Sequence, residues 1–329
     1  MSVIDKTKIV ATLLVVLGHI VRMYTGFGVI GMPQDVILTF VHNFIYSFHM
    51  PLFVFISGVI FFICKREKNK YNVEWIFISK KAKRLLLPYI IFSIFFVFPT
   101  MLYIGKSRQP LTSFFIQSYI LGNNARHLWF LLMLFNVFVI LNHFELFIYN
   151  HIKYSLALAV LLYIISYFAP NDFQISATLK YIVYFYLGYL YRRLNIEKSI
   201  SKKKWQIIFI LVYFLFYLTL CSRLLLYIPT IQPFIDLLKS SFGILFILIS
   251  VRYVKMDKSI FKVILHNSYG IYLFHPIIIY IFFYWIRYYT ISPLLCTIAI
   301  FLISIYASIV LLYVIRKSKL SIIVGENNK

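Results

Sequence analysis

Acidic residues are scarce in this chain: ten Asp and Glu stand against 33 Lys and Arg. Only 13% of the 329 residues are charged, about half the share an ordinary soluble domain carries. Cysteine is nearly absent. Cys64, Cys221 and Cys296 lie far apart and are odd in number, so they make neither a disulfide framework nor a metal spacing. No cluster of ligand-bearing side chains has metal spacing, and no metal is expected. No small-residue cleavage site closes the first apolar segment, which is therefore expected to remain as a span. No lipidation motif stands at either end.

Apolar side chains fill the space that charge leaves. The chain is 62% hydrophobic and 20% aromatic, with a mean hydropathy of +0.86. That excludes a soluble globular domain and predicts an all-α polytopic integral membrane bundle, one membrane domain over 1–329. The surplus of +23 would suggest nucleic acid in a soluble chain. Here it points to topology and anionic lipid headgroups, with no nucleic-acid partner.

Apolar runs long enough to cross a bilayer recur about ten times, over 7–26, 37–64, 84–104, 127–149, 154–169, 176–192, 205–221, 233–251, 263–286 and 294–315. With the N-terminus in the cytoplasm, alternate loops collect the cations. One set holds Lys6 and Lys8, the run from Lys65 to Arg84, Lys153, the run from Arg192 to Lys204, the run from Arg252 to Lys262, and Arg316 to Lys329. The opposite loops and the spans hold few. This bias obeys the positive-inside rule without a break and places both termini in the cytoplasm.

Ionisable groups inside such spans are functional suspects by default. His19 sits in the run from Ile9 to Val21, eleven positions after Lys8. Eleven positions is close to three helical turns, so both side chains share one face, roughly 16 Å apart along the axis. Spacing alone leaves two readings open: a snorkelling lysine with a core histidine, or an aligned functional pair. The second span holds His42 and His49-Met50-Pro51, where the proline should kink the helix. Ser57-Gly58 permits close helix approach. Lys81 and Arg84 stand three apart, spaced to hold a phosphate if helical. The outer loop over 105–126 ends in Arg126-His127-Leu128-Trp129, where a cation and an aromatic plane suit sugar or carboxylate contacts. The ninth span carries a second His-Pro pair, His275-Pro276.

Taken in order, these motifs resemble the family 3 membrane acyltransferases, which O-acylate sugars of the bacterial envelope. The resemblance rests on Asp5-x-x-Lys8 with Leu-Gly-His19, Phe48-His49-Met50-Pro51 with Ser57-Gly58, Lys81-x-x-Arg84 before Pro88-Tyr89, His127-Leu-Trp129, and Ser268-Tyr-Gly-Ile-Tyr-Leu-Phe-His275-Pro276. The His-Met-Pro form is similar to the branch that includes fucose O-acetyltransferases. The resemblance implies a multi-pass protein of the bacterial cytoplasmic (inner) membrane. It implies transfer of an acetyl or short acyl group from cytoplasmic acetyl-coenzyme A, a substrate and not a resident cofactor, to a sugar hydroxyl of an envelope polysaccharide or its lipid-linked precursor.

On that reading His19, His49 and His275 are the catalytic candidates. Lys8, Lys81 and Arg84 bind the coenzyme; Lys81 replaces the arginine of the family pattern, so it is a point charge where the family has a fork. Arg126, His127 and Trp129 bind the acceptor. Neutral imidazole serves acyl transfer near pH 7 as base or as nucleophile. The competing reading is a glycan transporter or flippase, which also uses intramembrane His and Lys with aromatic walls.

Overall fold

The computed structural model describes residues 1–26, 28, 32–70, 73–105, 111–123, 126–199, 206, 208–209, 212–213, 217, 231–289 and 291–326. Every regular element among them is helical, as backbone satisfaction in lipid demands of an all-α membrane protein. The helices are α1 Val3–Val21, α2 Val36–Tyr46, α3 His49–Phe62, α4 Glu74–Phe92, α5 Phe98–Tyr103, α6 Leu111–Phe115, α7 Trp129–His143, α8 Glu145–Asn150, α9 Ile152–Ile165, α10 Ile175–Arg193, α11 Ile196–Ser199, α12 Gln232–Tyr253, α13 Ser259–Ile286 and α14 Pro293–Lys317.

Six helical stretches are long and apolar enough to cross a membrane: Val36–Glu67, Glu74–Tyr103, Arg126–His143, Gln232–Tyr253, Ser259–Ile286 and Pro293–Lys317. Three further expected spans fall on helices outside that set. α1 carries Asp5, Lys6 and Lys8 in its first turns, α10 ends in Arg192-Arg193, and α9 is 14 residues long. The run expected over 205–221 lies largely outside the described residues. The outer loop expected over 105–126 holds α6 and a five-residue π-helical turn, Ile116–Ile120, not irregular chain alone.

α14 shows the membrane solvent most clearly. Its buried face is Cys296, Thr297, Ile300, Ser304, Ser308 and Leu312. Leu294, Leu295, Leu302, Tyr306 and Tyr313 point outward, each at least 60% exposed. Small polar residues inside and large apolar ones outside is the order lipid imposes.

The chain forms two compact units. The first comprises Met1–Val15, Asn43–Lys70 and Val183–His266; the second comprises Val16–His42, Tyr71–Ile182 and Asn267–Lys329. In the first, α3 and α10 cross backbone against backbone. A Cβ on Gly58 would stand 2.0 Å from the Phe185 carbonyl oxygen, and one on Gly188 would stand 2.0 Å from that of Phe55. In the second, Gly270 of α13 is covered by the Leu312 side chain of α14.

Three prolines free backbone carbonyls in these helices, and the structure accounts for each. Pro51 cannot donate to Ser47, four residues back. The Ser240 hydroxyl donates to the Ser47 carbonyl instead, at 2.7 Å, and the helix breaks there, between Tyr46 and His49. The break thus lies a turn before Pro51, because the proline disturbs the turn that precedes it. Pro88 frees the carbonyl of Arg84, which accepts from the Tyr269 hydroxyl at 2.6 Å. Pro276 frees that of Tyr272, beside the His275 imidazole. Ser240→Ala leaves the Ser47 carbonyl without this donor in a part-buried site and should cost about 1 kcal/mol. Thermal unfolding of the purified protein in detergent reads this as a lowered Tm; an unchanged Tm refutes it.

Within each unit, polar contacts join residues that the charge bias puts on one membrane side. In the first unit Lys6 donates to the Val254 carbonyl, Arg192 pairs with Glu67, and Arg252 donates to the Glu197 carbonyl. In the second, His143 meets Glu74 at 3.2 Å. The expected outer loops meet each other there too: Asn123 donates to Asp172 at 2.7 Å, Phe173 N–H to the Leu121 carbonyl at 2.6 Å, and Gln174 to that of Gly122.

Candidate functional site

The second unit gathers three histidines from distant parts of the chain. His19 lies in the last turn of α1, His275 in the middle of α13, and His127 in the 3-10 turn Arg126–Leu128 that leads into α7. The His19 and His275 rings meet edge to face at 5.1 Å between centroids. His127 and His275 do so at 6.3 Å. His275 is fully buried and His127 is 4% exposed, while His19 is only partly buried. His19 is therefore the most exposed member of the group.

Hydrogen bonding sets the state of the central ring. His275 Nδ1 lies 2.7 Å from the Ile271 carbonyl oxygen. A carbonyl only accepts, so Nδ1 carries the proton and Nε2 of the neutral ring offers a lone pair. Nε2 is buried and has no hydrogen-bond partner among the described residues. Neither ring nitrogen of His127 meets one at bonding geometry there either. Unsatisfied buried polar atoms cost about 1–3 kcal/mol each. A neutral His275 in this tautomer accepts a proton and does not donate one from Nε2.

Tyr272 ties the group together. It is 7% exposed, its hydroxyl donates to the His127 backbone carbonyl, and its ring lies 5.9 Å from that of His127 and 6.4 Å from that of His275. Tyr269, Tyr272 and His275 follow at three-residue intervals on one face of α13. Spacing alone shows that stripe, yet only the histidine stands out from a sequence with 27 tyrosines.

The basic residues lie at the other end of the stripe. The Arg84 guanidinium sits 4.0 Å over the Tyr269 ring. The Lys81 ammonium sits 3.7 Å over the Phe138 ring and 5.4 Å from that of Phe77. The two cations share α4 yet rest on different rings. Arg84 also meets Glu326 at 3.4 Å and donates to the Val324 and Gly325 carbonyls. Neither Glu326 nor its partner Arg316 stood out in the sequence.

The other expected residues fall as follows. Lys8 is in the first unit, on the same unbroken helix α1 as His19. Asp5 closes a capping box with Ser2: its backbone N–H donates to the Ser2 hydroxyl at 3.1 Å, and its carboxylate accepts from the Ser2 backbone N–H at 3.2 Å. His49 is also in the first unit, where its Nδ1 donates to the Ile45 carbonyl at 2.9 Å and its ring packs on Tyr46 at 4.6 Å. Both His-Pro motifs thus fix the same tautomer by the same i−4 contact.

Arg126 is held at φ +51°, a backbone state costly for a side chain of its size. Its Nε is buried with no hydrogen-bond partner among the described residues. Trp129, the first residue of α7, packs on Tyr181 of α10 at 5.5 Å. Arg126, His127 and Trp129 therefore adjoin in sequence but face different neighbours.

Comparison with known proteins adds one finding. A family model described as an acyltransferase domain matches residues 2–313. No curated protein and no solved structure matches the chain.

Proposed function

The chain belongs to the family 3 acyltransferases, and from that premise we propose that it moves an acetyl or other short acyl group from cytoplasmic acyl-coenzyme A to a sugar hydroxyl on the outer side of a bacterial cytoplasmic membrane. The acceptor on this reading is an envelope polysaccharide, such as O-antigen, or its lipid-linked precursor. The His49-Met50-Pro51 form of the second motif resembles the branch that includes fucose and related sugar O-acetyltransferases, and leaves the acceptor sugar open. About ten spans with both termini in the cytoplasm put donor and acceptor on opposite sides.

The observation that carries this reading is the imidazole group His19, His275 and His127. Transfer to an alcohol needs a base. His19, the most exposed of the three and backed by the acceptor nitrogen of His275, takes the hydroxyl proton. The sugar oxygen then bonds to the thioester carbonyl carbon, the C–S bond breaks, and the proton passes on to the leaving sulfur. His127 borders this point beside His275, and Arg126 and Trp129, which flank it in the chain, are the further proposed acceptor contacts. His49 serves in the first unit.

At the cytoplasmic end Lys8, Lys81 and Arg84 hold the coenzyme's phosphates. The Lys8 to His19 rise of roughly 16 Å along α1 suits an extended pantetheine arm.

Purified protein in detergent tests the reading. It should bind acetyl-coenzyme A and release free coenzyme A thiol when membrane glycan is supplied. Lys8→Gln, which removes one cation from the donor site, should weaken coenzyme affinity roughly tenfold. Wild-type protein that neither binds the coenzyme nor releases thiol contradicts the proposal. Unchanged affinity in Lys8→Gln removes Lys8 from the donor site.

A further inference from the structure

Ten acids in a chain of 329 residues make the placement of each one informative. Glu326 stands between two arginines. Its carboxylate accepts from Arg316 Nε at 2.8 Å and Nη2 at 2.9 Å, a bidentate fork. Its other neighbour is Arg84 Nη1, at 3.4 Å. Arg316 Nη1 also donates to Asn267 Oδ1 at 2.6 Å. The cluster joins α4, α13, α14 and the segment after α14, all in the second unit.

That segment is shaped to bring the acid there. Ser321–Val324 form one 3-10 turn, capped by Gly325 at φ +64°. A Cβ on Gly325 would meet the Lys83 carbonyl oxygen at 2.8 Å and the Arg84 Cα at 2.9 Å. Only glycine lets the turn rest on the α4 backbone at this point. Val324 is fully buried and anchors the turn. Glu326 itself keeps 23% of its side chain exposed, while Val324 and Gly325 hold the turn on α4.

We propose that Arg84 and Arg316, with Asn267, form an anion site for a phosphate monoester, and that Glu326 is an internal occupant which the phosphate displaces. The ligand class follows from charge. Two guanidiniums against one carboxylate leave a cation uncompensated. A phosphate monoester carries about −1.5 to −2 near pH 7 and offers three acceptor oxygens, so it matches the pair better than the carboxylate does. A phosphodiester or a second carboxylate does not. Bonding to Arg316, with Arg84 adding to it, holds the Glu326 carboxyl below the usual carboxylate range, so it occupies the site as an anion at neutral pH. Under the proposed function, on which this inference rests, the monoester is the ribose phosphate of coenzyme A. Arg316 is then a donor-binding residue, and Glu326 sets the donor concentration needed to open the site.

The test measures binding of coenzyme A and of dephospho-coenzyme A to the purified full chain in detergent. Wild type should prefer coenzyme A. Glu326→Gln, isosteric but neutral, should tighten coenzyme A roughly tenfold and leave dephospho-coenzyme A unchanged. Arg316→Gln should abolish the preference between the two ligands. Inorganic phosphate should compete with coenzyme A better in Glu326→Gln than in wild type. If Glu326→Gln does not purify folded, Glu326→Asp loosens the fork by one methylene and should tighten coenzyme A several-fold.

Equal affinities in wild type and Glu326 variants, or tightening shared by both ligands, overturn the displacement. Binding of neither ligand to wild type overturns the proposed function itself, a separate outcome.

Discussion

Replacing His19 with Ala should lower acyl transfer by about 10²- to 10⁴-fold, the range a positioned general base contributes. The proposed function makes His19 the position most sensitive to substitution. His19 is the most exposed ring of the three and stands 5.1 Å from His275. His275 does not substitute for it, because the whole His275 residue is buried while His19 keeps part of its surface exposed. Donor binding should persist, since Lys8, Arg84 and Arg316 are untouched. His19→Gln should be as inactive as His19→Ala: it restores polarity without a base. Rates come from thiol release by purified protein, and binding from a titration on the same sample. A loss of less than tenfold, or equal loss of binding and rate, removes His19 from the chemistry.

Gly58→Leu should remove most folded protein from the membrane. Even a Cβ at position 58 would lie 2.0 Å from the Phe185 carbonyl oxygen, and the reciprocal contact at Gly188 leaves no alternative approach. α3 and α10 would have to separate along the crossing. Overpacking inside a close-packed interface costs about 1–3 kcal/mol where neighbours can shift. Here the obstacle is helix backbone, so the cost should exceed that range. Quantitative immunoblots of membranes, with size exclusion in detergent, measure it. Wild-type levels of monodisperse protein would show that the crossing is not needed.

Much of the fold is legible in the sequence because lipid writes strong signals. The long apolar runs follow from the cost of polar groups in hydrocarbon, and six of the ten expected spans fall on helices long and apolar enough to cross a membrane. What the sequence hides is adjacency. His19 meets the ring of His275, from more than 250 positions away. Helical spacing gives height along an axis, not which helix lies alongside. The break beside Pro51 was expected at the proline but falls at Ser47 and Phe48, where the lost donor is felt.

Partners of proline-freed carbonyls, Ser240 and Tyr269, carry no motif of their own. Arg316 enters the sequence reading only as one of the cations of the last cytoplasmic stretch, since a topology argument counts cations and passes over Glu326, the acid that meets it.

The central claim is tested most directly by the glycan of cells expressing wild type or His19→Ala at matched membrane levels. Mild alkali separates ester-linked acyl groups, and spectra of the intact glycan locate them. The account predicts ester-linked acetyl or short acyl groups on a surface sugar with wild type and none with His19→Ala. Unchanged acylation together with reduced glycan export would contradict it and make His19 a residue of a transport pathway.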